Sequence, residues 1–420
     1  MSMHPSVGAV LAFLLGASAH AQSTDPSPPP TQPSPAASTT ASEPIDPELA
    51  AAIAKDLATT PPPSLAPPST PAPIAQMNPD MSFILNTAFG WFSQNEHVRQ
   101  GGHAVDENGF SAQGLELAAS STVDPYFRFD FYFQVQHLEL EEAFLTTLAL
   151  PAGLQARAGY FNVAFGRQNP QHLHRWNFVN PPFSHSRFLS AEHFRGTGAE
   201  LSLLLPLPWY AMLLAEALTP SEAAGFESAT FGTIDKNGNG RTDGLEDFVY
   251  VGRLENFFEL SPDLSLLVGA GAVFGQSPYT ADQRAALYGG DVYLKWRPAA
   301  QGGNVSLALT LEGILRNTQV AGDTVRDAGG YAQLDLQASR RWMLGLRGDL
   351  ADMLRGESPD PLKMPGRQTR GTLSLTFLPT HFSKLRLQAD LSHVEGMASN
   401  VAAIFLQTEI SAGQHGAHGY

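Results

Sequence analysis

From Tyr126 to Gln136 apolar and polar positions alternate without a break. Phe127, Phe129, Phe131, Phe133 and Val135 share one parity; Arg128, Asp130, Tyr132, Gln134 and Gln136 share the other. A period of two belongs to an extended strand, whose successive side chains leave opposite faces. Runs of this kind fill the chain from about Asn78 onward and predict an all-β fold of about sixteen strands. They lie near 81–92, 109–123, 126–137, 139–149, 154–163, 195–205, 209–218 and 247–259. The second half continues with 264–274, 286–297, 304–316, 328–338, 342–352, 366–378, 384–394 and 400–411.

The breaks decide what kind of sheet this is. Short turns recur at Val123-Asp124-Pro125, Leu150-Pro151-Ala152-Gly153, Leu205-Pro206-Leu207-Pro208, Leu260-Ser261-Pro262-Asp263, Arg297-Pro298, Ser339-Arg340-Arg341 and Leu378-Pro379-Thr380. Between them stand connections of very uneven length. Short turns at one end and long loops at the other are the pattern of a transmembrane antiparallel β-barrel. An even strand count also returns both ends of the sheet to one side. Tyr126, Phe127, Trp209, Tyr210, Trp296, Trp342, Phe377 and Phe382 follow the short turns. Amphipathic rings belong at a membrane–water boundary, so these residues read as a periplasmic aromatic girdle.

The first part of the chain is different material. Met1–Ser6 is short and polar, Val7–Ala17 is almost wholly apolar, and Ala19-His20-Ala21 resembles a small-residue cleavage site, so 1–21 reads as a secretory signal peptide. Residues 22–77 are dense in Pro, Ser, Thr and Ala and have too little apolar surface to repay ordering; they read as a disordered periplasmic linker, with a short helix within 45–58. The barrel is assigned to 78–420. The chain has no cysteine, which excludes a disulfide-stapled fold and Cys-type zinc or iron–sulfur centres. A net charge of −15 argues against nucleic acid as a partner. Only 15% of residues are charged, which suits a surface partly in lipid. The expected location is the cell outer membrane.

Several segments resemble one family. They are Asn78-Pro79-Asp80-Met81-Ser82, Glu141-Glu142-Ala143-Phe144-Leu145-Thr146-Thr147-Leu148, Pro151-Ala152-Gly153 and Gly159-Tyr160-Phe161. With them go Phe165-Gly166-Arg167-Gln168-Asn169-Pro170-Gln171-His172 and the ending Gly413-Gln414-His415-Gly416-Ala417-His418. Together they resemble proteobacterial outer-membrane porins related to the phosphate-selective porins, whose members are often labelled zinc-regulated TonB-dependent receptors. The resemblance implies a sixteen-stranded barrel able to form a homotrimer, with one loop folded inward at the constriction. Tyr420 resembles the terminal aromatic read by the barrel assembly machinery. A TonB-dependent receptor needs a folded plug and about 22 strands; the Pro-rich 22–77 segment offers no globular plug.

Three groups of residues carry candidate chemistry. The connection Phe165–Arg195 holds Arg167, Arg175, Arg187 and Arg195 against one acid, Glu192, so 4 − 1 = +3. Cations in a narrow, poorly screened passage would favour anions; pinning of the loop by pairing with wall carboxylates is the plainer alternative. The same connection holds His172, His174, His185 and His193. His-x-His on an extended segment puts two imidazoles on one side, which suits zinc or copper. No nearby carboxylate cluster or cysteine is expected to complete a tetrahedron, and hydrogen-bonded loop histidines are the favoured alternative. Thirdly, Asp235-Lys236-Asn237-Gly238-Asn239-Gly240-Arg241-Thr242-Asp243-Gly244-Leu245-Glu246 matches a twelve-residue calcium loop. Asp235, Asn237, Asn239, Asp243 and Glu246 would supply side-chain oxygens and Arg241 its carbonyl. No nucleophile elbow surrounds Ser184-His185. The reading is therefore a non-enzymatic porin with no required cofactor, in contact with outer-membrane lipid and passing small hydrophilic solutes or anions. The alternative is a receptor for a metal or metal chelate without a plug domain.

Overall fold

The computed structural model describes residues 79–95, 103–190, 192–233, 242, 244–279, 283–302, 304–357 and 366–413. The leader, the Pro-rich segment, Tyr420 and most of the calcium-like loop lie outside them. The strands are β1 (Asp80–Phe92), β2 (Gly109–Asp124), β3 (Phe127–Gln134), β4 (Glu139–Thr147), β5 (Leu154–Asn162), β6 (Arg195–Leu204), β7 (Tyr210–Leu218) and β8 (Val249–Ser261). They continue as β9 (Leu264–Gln276), β10 (Arg284–Trp296), β11 (Ser306–Val320), β12 (Asp323–Gln337), β13 (Trp342–Arg355), β14 (Gln368–Thr380), β15 (Ser383–Val394) and β16 (Val401–Gly413). Each pairs antiparallel with its sequence neighbour, and β1 pairs with β16 (Leu85 opposite Ile410), closing the barrel. Closure leaves no strand edge unpaired. No helix among the described residues is long and apolar enough to cross a membrane.

Alternation along the strands settles which face is which. On β15, Lys384, Arg386, Gln388 and Asp390 are buried toward the bore, while Leu385, Leu387 and Leu391 are exposed outward. On β3 the phenylalanines face out: Phe129, Phe131 and Phe133 form a ladder with centroids 6.4 and 6.1 Å apart, whereas Asp130 and Gln134 point inward. This inversion of a soluble protein, apolar outside and polar within, is what a barrel in hydrocarbon requires. Around the short-turn end Tyr126, Phe127, Trp209, Tyr210, Trp296, Trp342 and Phe382 are exposed outward, and Trp342 packs on Phe377 with centroids 4.7 Å apart.

Two departures from simple alternation matter. Sequence reading leaves 317–327 as a loop, but β11 and β12 run on to a turn at Ala321-Gly322, with Val320 opposite Asp323. Thr318 and Val325 keep the alternation going, and Gly322 takes the φ of +81° that such a tight turn needs. Elsewhere the β3–β4 register shifts between Tyr132 and Phe133, so that Glu142 faces Tyr132 but Leu140 faces Phe133. The extra residue in this β-bulge is Glu141, and both Glu141 and Glu142 are buried in the interior.

Candidate functional site

The connection between β5 and β6, residues 163–194, folds into the bore. It contains a 3-10 turn, Leu173–Arg175, and one short helix, α1 (Phe183–Phe188). A backbone crossing a lumen must find partners for its own N–H and C=O groups, and wall side chains supply them. Glu312 on β11 accepts from the N–H groups of Arg167 and Gln168 at 3.1 and 3.2 Å, and Glu216 on β7 accepts from that of Ala164 at 3.0 Å. Gln388 accepts from Val179 N–H at 2.7 Å. Arg386 donates to the Trp176 carbonyl at 2.8 Å, Lys384 to that of His174 at 2.8 Å and Arg370 to that of Pro181 at 2.6 Å.

Shape does the rest. Inward-facing glycines leave notches in the wall, and aromatic rings of the loop fill them. A Cβ on Gly289 would lie 2.6 Å from Phe165, one on Gly329 2.8 Å from Phe188, and one on Gly345 2.9 Å from Phe178. Phe165, Phe188 and Phe194 join Val249, Leu287 and Ile314 of the wall in the main apolar cluster inside the barrel.

The four arginines separate into two pairs. Arg187 on α1 donates to Asp327 on β12 at 3.0 Å, and Arg316 on β11 donates to the same carboxylate at 2.6 Å. All three side chains are almost completely buried, so their charges are spent on each other. Arg195 is likewise buried and pairs with Glu139 and Glu227. Arg167 instead stacks over Tyr293 at 3.7 Å, and Arg175 is exposed into the bore. Neither Arg167 nor Arg175 has an ion pair among the described residues.

Arg167 and Arg175 border a water-accessible cavity of about 110 Å³ between the loop and the wall formed by β10–β15. Lys295, Lys384, Arg386, Asp335 and Tyr293 line it as well. Lys384 is matched by Glu409 at 2.8 Å, and Arg386 bonds to the neutral groups of Thr376 and Gln407. Among the described residues that line the cavity, five cations thus meet one acid, Asp335, with Glu409 behind Lys384. Lys295, Lys384 and Arg386 do not emerge from loop composition. Each sits on an inward parity of a strand, which would have marked it once the inside was known.

The histidines meet on the opposite side of the loop. His172 Nε2 donates to Glu142 at 2.7 Å, while its Nδ1 stands 3.3 Å from Glu141 and 3.5 Å from Glu116 on β2. His174 lies in the 3-10 turn Leu173–Arg175 and His172 is extended just before it, yet the rings of His172 and His174 still lie nearly parallel, 5.9 Å apart. Carboxylates are therefore present in quantity. Sequence adjacency hides them, because β2 and the β4 bulge bring them in from far along the chain. His103, in the β1–β2 connection, joins through Glu141 at 3.1 Å and Glu192 at 3.3 Å. Burial opposes charge on His103, but the hydrogen bond and charge of Glu141, with Glu192, push its pKa up to about 9. His185 on α1 has no acid beside it among the described residues, and burial pushes it down to about 3. His193 lies between, 6.0 Å from His185 and 6.3 Å from His172 by ring centroid. Burial and the neighbouring imidazoles hold it well below the usual range.

Of the calcium-like ligands only Glu246 is described, next to the 3-10 turn start at Leu245; Asp235, Asn237, Asn239, Arg241 and Asp243 lie outside the described residues.

No family model matches the chain. It is 29% identical over 383 residues to an uncharacterized protein of Aquifex aeolicus, covering 81% of this chain and 79% of that one. Among solved structures it resembles OprB of Pseudomonas putida, with a TM-score of 0.54 and 10% identity over 80% of this chain and 95% of that one. The outer membrane channel DcaP of Acinetobacter baumannii gives 0.53 at 10%, over 81% and 98%. An anion-selective porin from Comamonas acidovorans gives 0.50 at 10%, over 80% and 99%. At such identities the likeness is one of fold.

Proposed function

We propose that the protein is an outer-membrane porin-like channel that passes small hydrophilic solutes and prefers anions, alone or as the trimer the sequence resemblance implies. The observation that carries this reading is the charge lining the cavity beside the inward loop. Arg167, Arg175, Lys295 and Arg386 face it against Asp335, with Lys384 beside them paired to Glu409. Fixed cations in a constriction attract anions and raise the barrier to cations, and a low-dielectric wall strengthens both effects. The apolar exterior and aromatic ring fit a lipid setting, and the fold-level likeness to porins and outer-membrane channels agrees. The purified protein in planar bilayers should give ohmic current, with a reversal potential in asymmetric salt that reports anion preference. Cation preference would reject the selectivity, and absence of current would reject the channel.

A further inference from the structure

We infer that the junction of β2, β4 and the inward loop binds one divalent transition-metal ion through Glu116, Glu141 and His172. One donor atom from each residue lies within 4.8 Å of the other two. His172 Nδ1 is 3.3 Å from a Glu141 oxygen and 3.5 Å from a Glu116 oxygen. Ligands held at about 2.1 Å around tetrahedral zinc stand about 3.4 Å from one another. The two distances from Nδ1 match that spacing, and the two carboxylates lie within 4.8 Å of each other.

The hydrogen bonding points the same way. His172 Nδ1, Glu116 Oε1 and Glu141 Oε2 are buried and make no hydrogen bond, and the three residues are only 6%, 3% and 2% exposed. Unsatisfied buried groups of this kind are costly. The other ring nitrogen of His172 donates to Glu142 at 2.7 Å, which leaves Nδ1 as the nitrogen available beside the carboxylates. A carboxylate behind a metal-bound imidazole orients ligands and raises their basicity in many metal sites. One nitrogen and two carboxylate oxygens suit zinc and its neighbours, whereas calcium takes six or more oxygens. His174 Nδ1, 3.4 Å from Glu116, is the adjacent candidate for a fourth ligand. Because the ligands come from two strands and the loop, the ion would fasten the loop to the wall.

The test uses the full chain, folded in detergent, stripped with chelator and titrated calorimetrically with zinc chloride alone. One zinc per chain is expected, undisturbed by excess calcium. His172→Gln and Glu116→Gln should abolish binding, Glu142→Gln should weaken it about 10- to 100-fold, and His185→Gln should leave it unchanged. Cobalt in place of zinc should give the visible absorption of a tetrahedral site in the wild type, a readout independent of any variant's folding. Failure of the wild type to take up zinc, or zinc binding that persists in His172→Gln, would overturn the inference and leave His172 as a protonated partner of these carboxylates.

Discussion

The ring of Phe165 occupies the space that a side chain on Gly289 would need, a Cβ there falling 2.6 Å from its Cζ atom. The contact holds the beginning of the inward loop against β10. Gly289→Leu should therefore expel Phe165 and loosen the loop, leaving the outer wall intact. Phe165→Ala should have the same outcome by the opposite route, at a cost of about 3–5 kcal/mol. Single-channel recordings would show larger, fluctuating conductance in both variants; steady wild-type current in Gly289→Leu would count against this docking.

The two kinds of arginine should behave differently. A unit charge about 6 Å from a passing ion is worth about 0.7 kcal/mol in a water-like medium. Arg167→Ala or Arg175→Ala should thus disfavour anions and favour cations about threefold each way, lowering the anion-to-cation permeability ratio about tenfold. Arg187→Ala and Arg195→Ala should move selectivity little and make the loop less stable. Reversal potentials of the four variants, measured side by side, separate the groups.

Asp327→Asn leaves the buried guanidinium groups of Arg187 and Arg316 facing each other without their shared acid. Losing one partner of a buried ionic group costs about 3–5 kcal/mol. Faster cleavage of the folded protein within 163–194 by a protease is the expected sign, with strand content by circular dichroism unchanged. A variant as protease-resistant as the wild type would remove this triad from the account of loop docking.

Acid should also release the loop. His185 is held neutral with a pKa of about 3, below its ordinary value of 6.5. The undocked loop then binds a proton that the docked one refuses, so the stabilising contribution is complete above about 6.5 and declines as pH falls toward 3. Channel noise should grow over that window, and His185→Gln should flatten the dependence. An unchanged profile in the variant would assign the effect to other groups.

Much of this architecture was legible in the chain. The strand pairs, the aromatic band at the short turns and the limits of the inward loop follow from alternation and turn residues such as Pro125, Gly153 and Pro262. What stayed hidden depends on contacts between distant segments. Alternation would send Glu141 and Glu142 to opposite faces, and only the mismatch in strand pairing turns both inward. Gly289, Gly329 and Gly345 read as ordinary strand glycines until rings from the loop arrive opposite them. The two functions of the arginines depend on Asp327, Glu139 and Glu227, none of which is near its partner in sequence.

The inward loop is bonded to β7, β11, β12, β14 and β15, so it spans the tube as an internal strut. A hollow cylinder resists flattening poorly, and a brace between facing walls opposes lateral squeezing by the surrounding bilayer. The same segment that enters the bore should therefore stiffen the barrel, and loosening it should make the whole cylinder more compliant.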